Sequence, residues 1–411
     1  MGYRDGKSVD TDRDDSQSTR SLRSGTILRL VLIVVPIVLL PFLALAGEIT
    51  PDRSEEVAAA RINRVLPGVV GILTDVRAEV TIRCGKNDTY VVKPDPDREN
   101  GTGFIIHPDG WIATNGHVVK PVYKDDDEHI TNFLTQAATS ACGPGLKKLP
   151  EKRRAARMEA ILKDPENRKG VKLTKRLEVF LPTGEARQGF PAVVKAFSPP
   201  IDPDLLPKGG AKPDPPMLDA ALIKIETSNL PTVRLAPSVR RGVALGQQLI
   251  IVGYPGVVVW HDFLSKKSRS EATVTFGRVS AFRLDVNERW ILQTDASISW
   301  GNSGGPAFNL KGEVVALATF ISTSLEGDQA IQGFNFLIPV DSIYALAKQI
   351  GLTPSTDSAF TRAWDQAFDA AIEGRYAEAV AHAEEADKIV PGLIDVQRAI
   401  AYIREVRAEK P

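Results

Sequence analysis

The chain has 411 residues, with 51 lysines and arginines against 51 aspartates and glutamates, so its formal net charge is zero. That length holds about two to three domains, and charge neutrality excludes a global electrostatic pull toward nucleic acid or an acidic surface. Apolar content of 43% and charged content of 25% are those of an ordinary globular protein, and five scattered histidines with two cysteines offer no metal-ligand spacing.

Residues 1–26 are rich in Ser, Asp and Arg, have little to bury, and read as a disordered cytoplasmic segment. Residues 27–47 hold an apolar run, uncharged from Leu30 to Gly47, about the minimum length for a bilayer span. Pro36 and Pro41 interrupt it, which a membrane helix tolerates. Arg20, Arg23 and Arg29 precede it and Glu48, Asp52, Glu55 and Glu56 follow, which predicts the N-terminus inside and the remainder outside. The expectation is an uncleaved single-pass anchor. The rival is a secretory signal, because Ala44-Leu45-Ala46 has the small residues of a cleavage site. Residues 48–64 read as a helical linker. An extracytoplasmic address permits Cys84 and Cys142 to pair; buried small apolar residues are the other reading.

From residue 65 short apolar runs alternate with turns. Val69 to Ile72 and Ala78 to Ile82 are candidate strands, and Phe104 to Ile106 and Trp111 to Ala113 form a hairpin across Pro108-Asp109-Gly110. His117 follows at a bend marked by Asn115 and Gly116. Residues 120–175 do not fit a compact barrel and read as an insertion. It holds an acidic run, Asp125 to Glu128, and a basic helix, Glu151 to Lys163, with a narrow apolar face of Met158, Ile161 and Leu162. These are either solvated faces or a lid over the site. Leu177 to Leu181 is strand-like before the turn Pro182-Thr183-Gly184. A proline-rich loop, Pro199 to Pro216, leads to Asp219, at the start of the apolar strand running to Ile225. Further strands are expected at Leu249–Gly253, Ala272–Phe276, Trp290–Thr294, Val314–Phe320 and Gly333–Ile338. Many short strands with Gly/Pro turns predict a mainly β barrel or sandwich.

Gly301-Asn302-Ser303-Gly304-Gly305-Pro306 carries the chemistry. A serine among glycines after a strand can sit in a tight turn whose N–H groups, at Gly301 and Ser303, converge where an oxyanion forms. Serine needs a base, usually histidine, and the base needs an orienting acid. His117 and Asp219 supply them in an order known for such triads. His107 lies in the hairpin turn. Asp202, Asp204, Asp214 and Asp295 compete with Asp219, but only Asp219 begins an apolar strand.

On the segments T-N-G-H-V-V, L-D-A-A-L-I-K-I and Q-T-D-A-S-I-S-W-G-N-S-G-G-P, the chain resembles trypsin-like serine peptidases, most closely the HtrA/Deg branch. The resemblance covers about residues 65–350 and implies a double β-barrel peptidase domain over 65–352, with catalytic His117, Asp219 and Ser303. It implies an oxyanion hole at Gly301, Asn302 and Ser303, and a substrate pocket at Ser297, Leu317, Ala318 and Thr319. No acid stands at Ser297, so a small or medium apolar residue is expected before the scissile bond. Trp300 stands where members often have a polar or basic residue and would wall the cleft or shield the triad. No cofactor or metal is implied. Partners implied are protein or peptide substrates and copies of the chain, trimers being common in that branch; the membrane is expected through residues 27–47, and no nucleic acid is expected.

Members of that branch commonly carry a PDZ domain next, whereas residues 357–408 read as helices. Trp364, Phe368 and Ile372 mark one helical face, Tyr376, Ala379, Val380 and Ala383 a second, and Leu393, Val396, Ile400 and Ile403 a third. Gly374-x-Tyr376-x-x-Ala379 with Ala386 and Pro391 resembles one tetratricopeptide repeat. A single repeat cannot cover its own faces, so it should pack on the peptidase, another subunit or a partner. The expected function is extracytoplasmic serine endopeptidase in envelope quality control or regulated proteolysis. The alternative is a silent or conditionally activated scaffold recruiting partners through the tail.

Overall fold

A computed structural model describes residues 61–183, 189–200, 217–259, 261–265, 268–285, 288–320 and 333–409. The expected disordered segment, the anchor or signal and most of the linker lie outside them, as does most of the proline-rich loop. No helix among the described residues is long and apolar enough to cross a membrane.

The first seven strands are β1 (Val69–Arg83), β2 (Thr89–Val92), β3 (Asp97–His107), β4 (Trp111–Thr114), β5 (Val171–Phe180), β6 (Phe190–Ser198) and β7 (Ala220–Ile225). They are ordered β2-β1-β3-β4-β7-β6-β5, and β1 also pairs with β5 from Gly71↔Phe180 to Val80↔Val171, which closes the sheet. The second seven are β8 (Arg234–Leu235), β9 (Gln248–Gly253), β10 (Thr273–Leu284), β11 (Trp290–Thr294), β12 (Pro306–Phe308), β13 (Glu313–Phe320) and β14 (Asn335–Pro339). Their order is β12-β9-β10-β11-β14-β13-β8, closed by β12 on β13. Closure pairs six strands of each sheet into a ring and leaves β2 and β8 at the sheet ends, and the expected double barrel results. A shared core lies between the barrels, with Val69, Phe104 and Leu222 meeting Val252, Phe308 and Leu317.

The two strands expected within residues 69–82 are one strand of 15 residues. Its polar middle reads as a break in sequence but is satisfied inside the sheet. The Thr74 hydroxyl donates to Val118 O at 3.1 Å, and Asp75 accepts from Arg77 and Arg98 at 2.6 and 2.8 Å.

The insertion is helical. Helices span Gly116–Tyr123, Asp126–Ala137 and Glu151–Lys163, the last as expected. Ile161 is buried and Met158 and Leu162 pack beside it, in a cluster with Val76, Val80, Ile82, Phe133 and Leu134. The acidic run proves to be a helix start. The Asp125 carboxylate accepts the Asp127 N–H at 3.0 Å, and Asp126, Asp127 and Glu128 occupy the first turn, where the helix dipole favours negative charge. Cys84 and Cys142 form a disulfide across 58 positions, tying the insertion to the end of β1. Closing a loop of that length removes roughly 4 kcal/mol of unfolded-state freedom. Denaturant melts with and without reductant should show a large drop in midpoint, and Cys84→Ser should be insensitive to reductant.

Helices Ala359–Ile372, Tyr376–Ile389 and Ile394–Glu409 pack on the first barrel. Phe360, Trp364, Leu393 and Val396 share a core with Val70, Ile72, Val179 and Ile223. Of the face expected at Trp364, Phe368 and Ile372, Trp364 is 2% exposed but Ile372 is 53% exposed. Steps of four residues drift about 40° each around a helix, so the third position has left the barrel contact.

Asp395, at the start of the last helix, is buried near Arg398. Burial pushes its carboxyl up to about 6, with Arg398 pulling it down and Glu271 pushing it up. The folded state therefore holds the proton more tightly than the unfolded chain, whose Asp titrates near about 3.9. Stability is lost as pH rises between those values, by about 3 kcal/mol at most. Melting from pH 4 to 7 should show that slope, and Asp395→Asn should flatten it and raise stability at pH 7.

Candidate active site

The candidate base sits at the start of the helix Gly116–Tyr123. The bend before it needs a glycine, since a Cβ on Gly116 would lie 2.2 Å from Ser198 O. Asp219 has φ +44°, in the left-handed region. Asp tolerates that region better than most residues. Its backbone is pinned on both sides: Asp219 N–H donates to Pro199 O at 2.9 Å, and Asn115 Nδ2 donates to Asp219 O at 2.8 Å.

The Asp219 carboxylate is fully buried. It accepts the His117 backbone N–H at 3.0 Å, so it also caps that helix, and His117 Nδ1 lies 3.0 Å from each of its oxygens. The Thr319 hydroxyl donates to Oδ2. Burial pushes the carboxyl up, but the His117 charge and hydrogen bond, the Thr319 hydroxyl and the His117 N–H together hold it below the ordinary value. On His117, burial works against the imidazolium. The Asp219 charge and hydrogen bond, with Glu99, outweigh it and Lys120, so the pKa rises. An ionised carboxylate only accepts, so Nδ1 carries the proton and Nε2 is left as an acceptor.

The candidate nucleophile is held by β3. Thr102 N–H donates to Ser303 O at 2.8 Å and the Thr102 hydroxyl donates to Gly301 O at 2.7 Å. A Cβ on Gly101 would lie 2.5 Å from Val118 and 3.1 Å from Ser303 O, so the residue after His117 and the nucleophile meet across one glycine. Gly304 has φ +82°, and a Cβ there would lie 2.3 Å from Thr102 O. Ser303 is 8% exposed. Among the described residues its hydroxyl makes no hydrogen bond to His117.

Two expected roles are corrected. The Asn302 N–H donates to Ser299 O at 3.0 Å and is unavailable to an oxyanion, which leaves the amides of Gly301 and Ser303. Leu317 and Ala318 are 0% exposed, Leu317 in the core between the barrels and Ala318 inside the second, so neither walls a pocket open to substrate. Thr319 turns its hydroxyl to Asp219, whereas Ser297 is exposed. Trp300 is 67% exposed and cannot shield buried Asp219. His107 Nδ1 accepts the Asp109 N–H within its own turn, and Asp295 accepts the Arg278 N–H, so neither joins the site. Asn115 and Thr319 both hold Asp219, a role the sequence announced for neither. Asn115 stood beside His117 as a bend residue, while Thr319 meets Asp219 only through folding.

A family model described as "Trypsin-like peptidase domain" matches residues 101–317. A Pseudomonas putida protein, "Probable periplasmic serine endoprotease DegP-like", is 35% identical over 152 residues, 36% of this chain and 28% of that protein. One of the same description from Hahella chejuensis is 36% identical over 135 residues, 32% of this chain and 25% of that protein. The matched stretch thus spans less than a third of these curated relatives. A solved structure, "HtrA-type protease AlgW with decapeptide", aligns at 19% identity over 72% of this chain and 67% of that chain, with a TM-score of 0.40.

Proposed function

The chain belongs to the trypsin-like peptidase family, and on that premise we propose that it is an HtrA/Deg-like serine endopeptidase using Ser303, His117 and Asp219. The observation that carries this reading is the fully buried Asp219 carboxylate 3.0 Å from His117 Nδ1. It fixes the imidazole with Nε2 free to take a proton. Ser303 Oγ attacks the scissile carbonyl while Nε2 accepts its proton. The Gly301 and Ser303 amides receive the oxyanion. The imidazolium, stabilised by Asp219, then delivers the proton to the leaving amine, and water repeats the sequence on the acyl-enzyme.

The site of action we infer is outside the cytoplasm, with residues 27–47 as inner-membrane anchor or cleaved signal. The DegP-like relatives are named periplasmic, and the Cys84–Cys142 bridge suits an oxidising compartment. Envelope quality control or regulated proteolysis is the role we assign. We read residues 357–408 as a tetratricopeptide-like hairpin with a third helix. One apolar face packs on the first barrel and a second cluster, with Ala370, Ala379, Val380 and Ile403, packs the helices on one another, while Ile372 and Tyr402 stay exposed.

One observation favours a second reading, a peptidase resting until activated: the absent Ser303–His117 hydrogen bond. Catalytic hydrogen bonds are often long without substrate and tighten on binding. Digestion of an unfolded protein by the purified full chain separates the readings. The first expects new peptide termini that vanish with Ser303→Ala. The second expects them only when a partner or substrate-like peptide is added.

A further inference from the structure

We propose that Glu99 selects substrates carrying a lysine or arginine on the leaving-group side of the scissile bond, in the first two residues after it; the inference rests on the triad assigned above. Side chains two apart on a strand leave the same face. A Cβ on Gly101 would point at Val118 and at Ser303 O, so Glu99, two residues earlier on β3, projects from the face that meets His117 and the nucleophile turn. The Thr74 hydroxyl lies 3.3 Å from Glu99 O and 3.1 Å from Val118 O, which holds this part of β3 against the start of the His117 helix.

The carboxylate has a charge to offer. Neighbouring acids are matched: Asp75 with Arg77 and Arg98, and Asp97 near Lys124. Glu99 is half-buried and has no cation within 4 Å among the described residues. Burial pushes its carboxyl up, His117 pulls it down and Asp97 pushes it up again. A cation from substrate would relieve that burial, while an acidic side chain would meet both desolvation and repulsion.

The location fixes which half of the substrate is read. The leaving amine must come to His117, in the first barrel with Glu99, whereas the oxyanion amides and Ser297 belong to the second.

The test uses the purified full chain and quenched fluorescent peptides identical except for Lys, Gln or Glu at the first or second residue after the cleaved bond. At one of these positions wild type should favour Lys over Glu in kcat/KM by about tenfold or more. Glu99→Gln should shrink that ratio to near one, and Glu99→Lys should invert it. The ratio is read within one variant, so any effect of Glu99 on His117 that acts on all substrates alike cancels. Fluorophosphonate labelling of Ser303 is measured alongside in wild type. Labelling with no charge preference in wild type, or with a preference that survives Glu99→Gln, overturns the inference and leaves the triad standing. Absence of Ser303 labelling together with peptide cleavage overturns the triad instead.

Discussion

Replacing Ser303 with alanine is expected to lower kcat/KM for peptide hydrolysis by a factor on the order of 10⁶, about as much as removing the whole triad. The hydroxyl is the only atom lost, and the triad acts as a unit. The fold should survive, because the contacts that hold residue 303 are backbone ones: its carbonyl accepts the Thr102 N–H, and the next residue donates to Ala318 O. Alanine costs nothing special here, since the positive φ values of the turn fall on Gly301 and Gly304 and not on Ser303. Initial rates and thermal melts on the same preparation make the comparison. A variant that melts like wild type and keeps more than a trace of activity would remove Ser303 from the mechanism.

Asp219→Asn should cost about 10⁴ in kcat. Asparagine keeps the shape and tolerates the left-handed backbone at φ +44°, so the loss is chemical. Its amide can present N–H to Nδ1, which moves the imidazole proton to Nε2 and turns the base into a donor facing Ser303. The pH profile separates this from simple damage. In wild type the acidic limb of kcat/KM should lie above about 6.5, because Asp219 and Glu99 raise His117 against its burial. Removing the Asp219 charge leaves burial dominant and should move the limb to lower pH. A limb that stays in place would mean that Asp219 does not set the imidazole's charge.

Much of this site was legible because its chemistry needs short contiguous runs. A nucleophile in a glycine turn, a histidine after a hairpin and an acid opening an apolar strand each leave a local signature, and their order completes the pattern. The double barrel followed from many short strands combined with those motifs. What sequence hid are contacts made across the fold. The family resemblance put Thr319 in the substrate pocket, yet strand alternation turns its hydroxyl to Asp219 and sends Ala318 inward. Glu99 carried no motif of its own; β3 places it two residues from Gly101 and on the same face. The polar middle of β1 mimicked a break, since Thr74 bonds to Val118 of the His117 helix and Asp75 is shared by Arg98 of β3 and Arg77 of β1 itself. Residues 125–128 are exposed, as a solvated charge run is; what sequence left unread is that acids there suit a helix beginning at Asp126.

The most direct measurement is active-site labelling with a fluorophosphonate followed by mass spectrometry of the modified peptide, in wild type, His117→Ala and Asp219→Asn. A single adduct on Ser303 is expected, formed orders of magnitude more slowly in both variants. An adduct on another serine, or equal labelling at residue 303 without the imidazole, would contradict it.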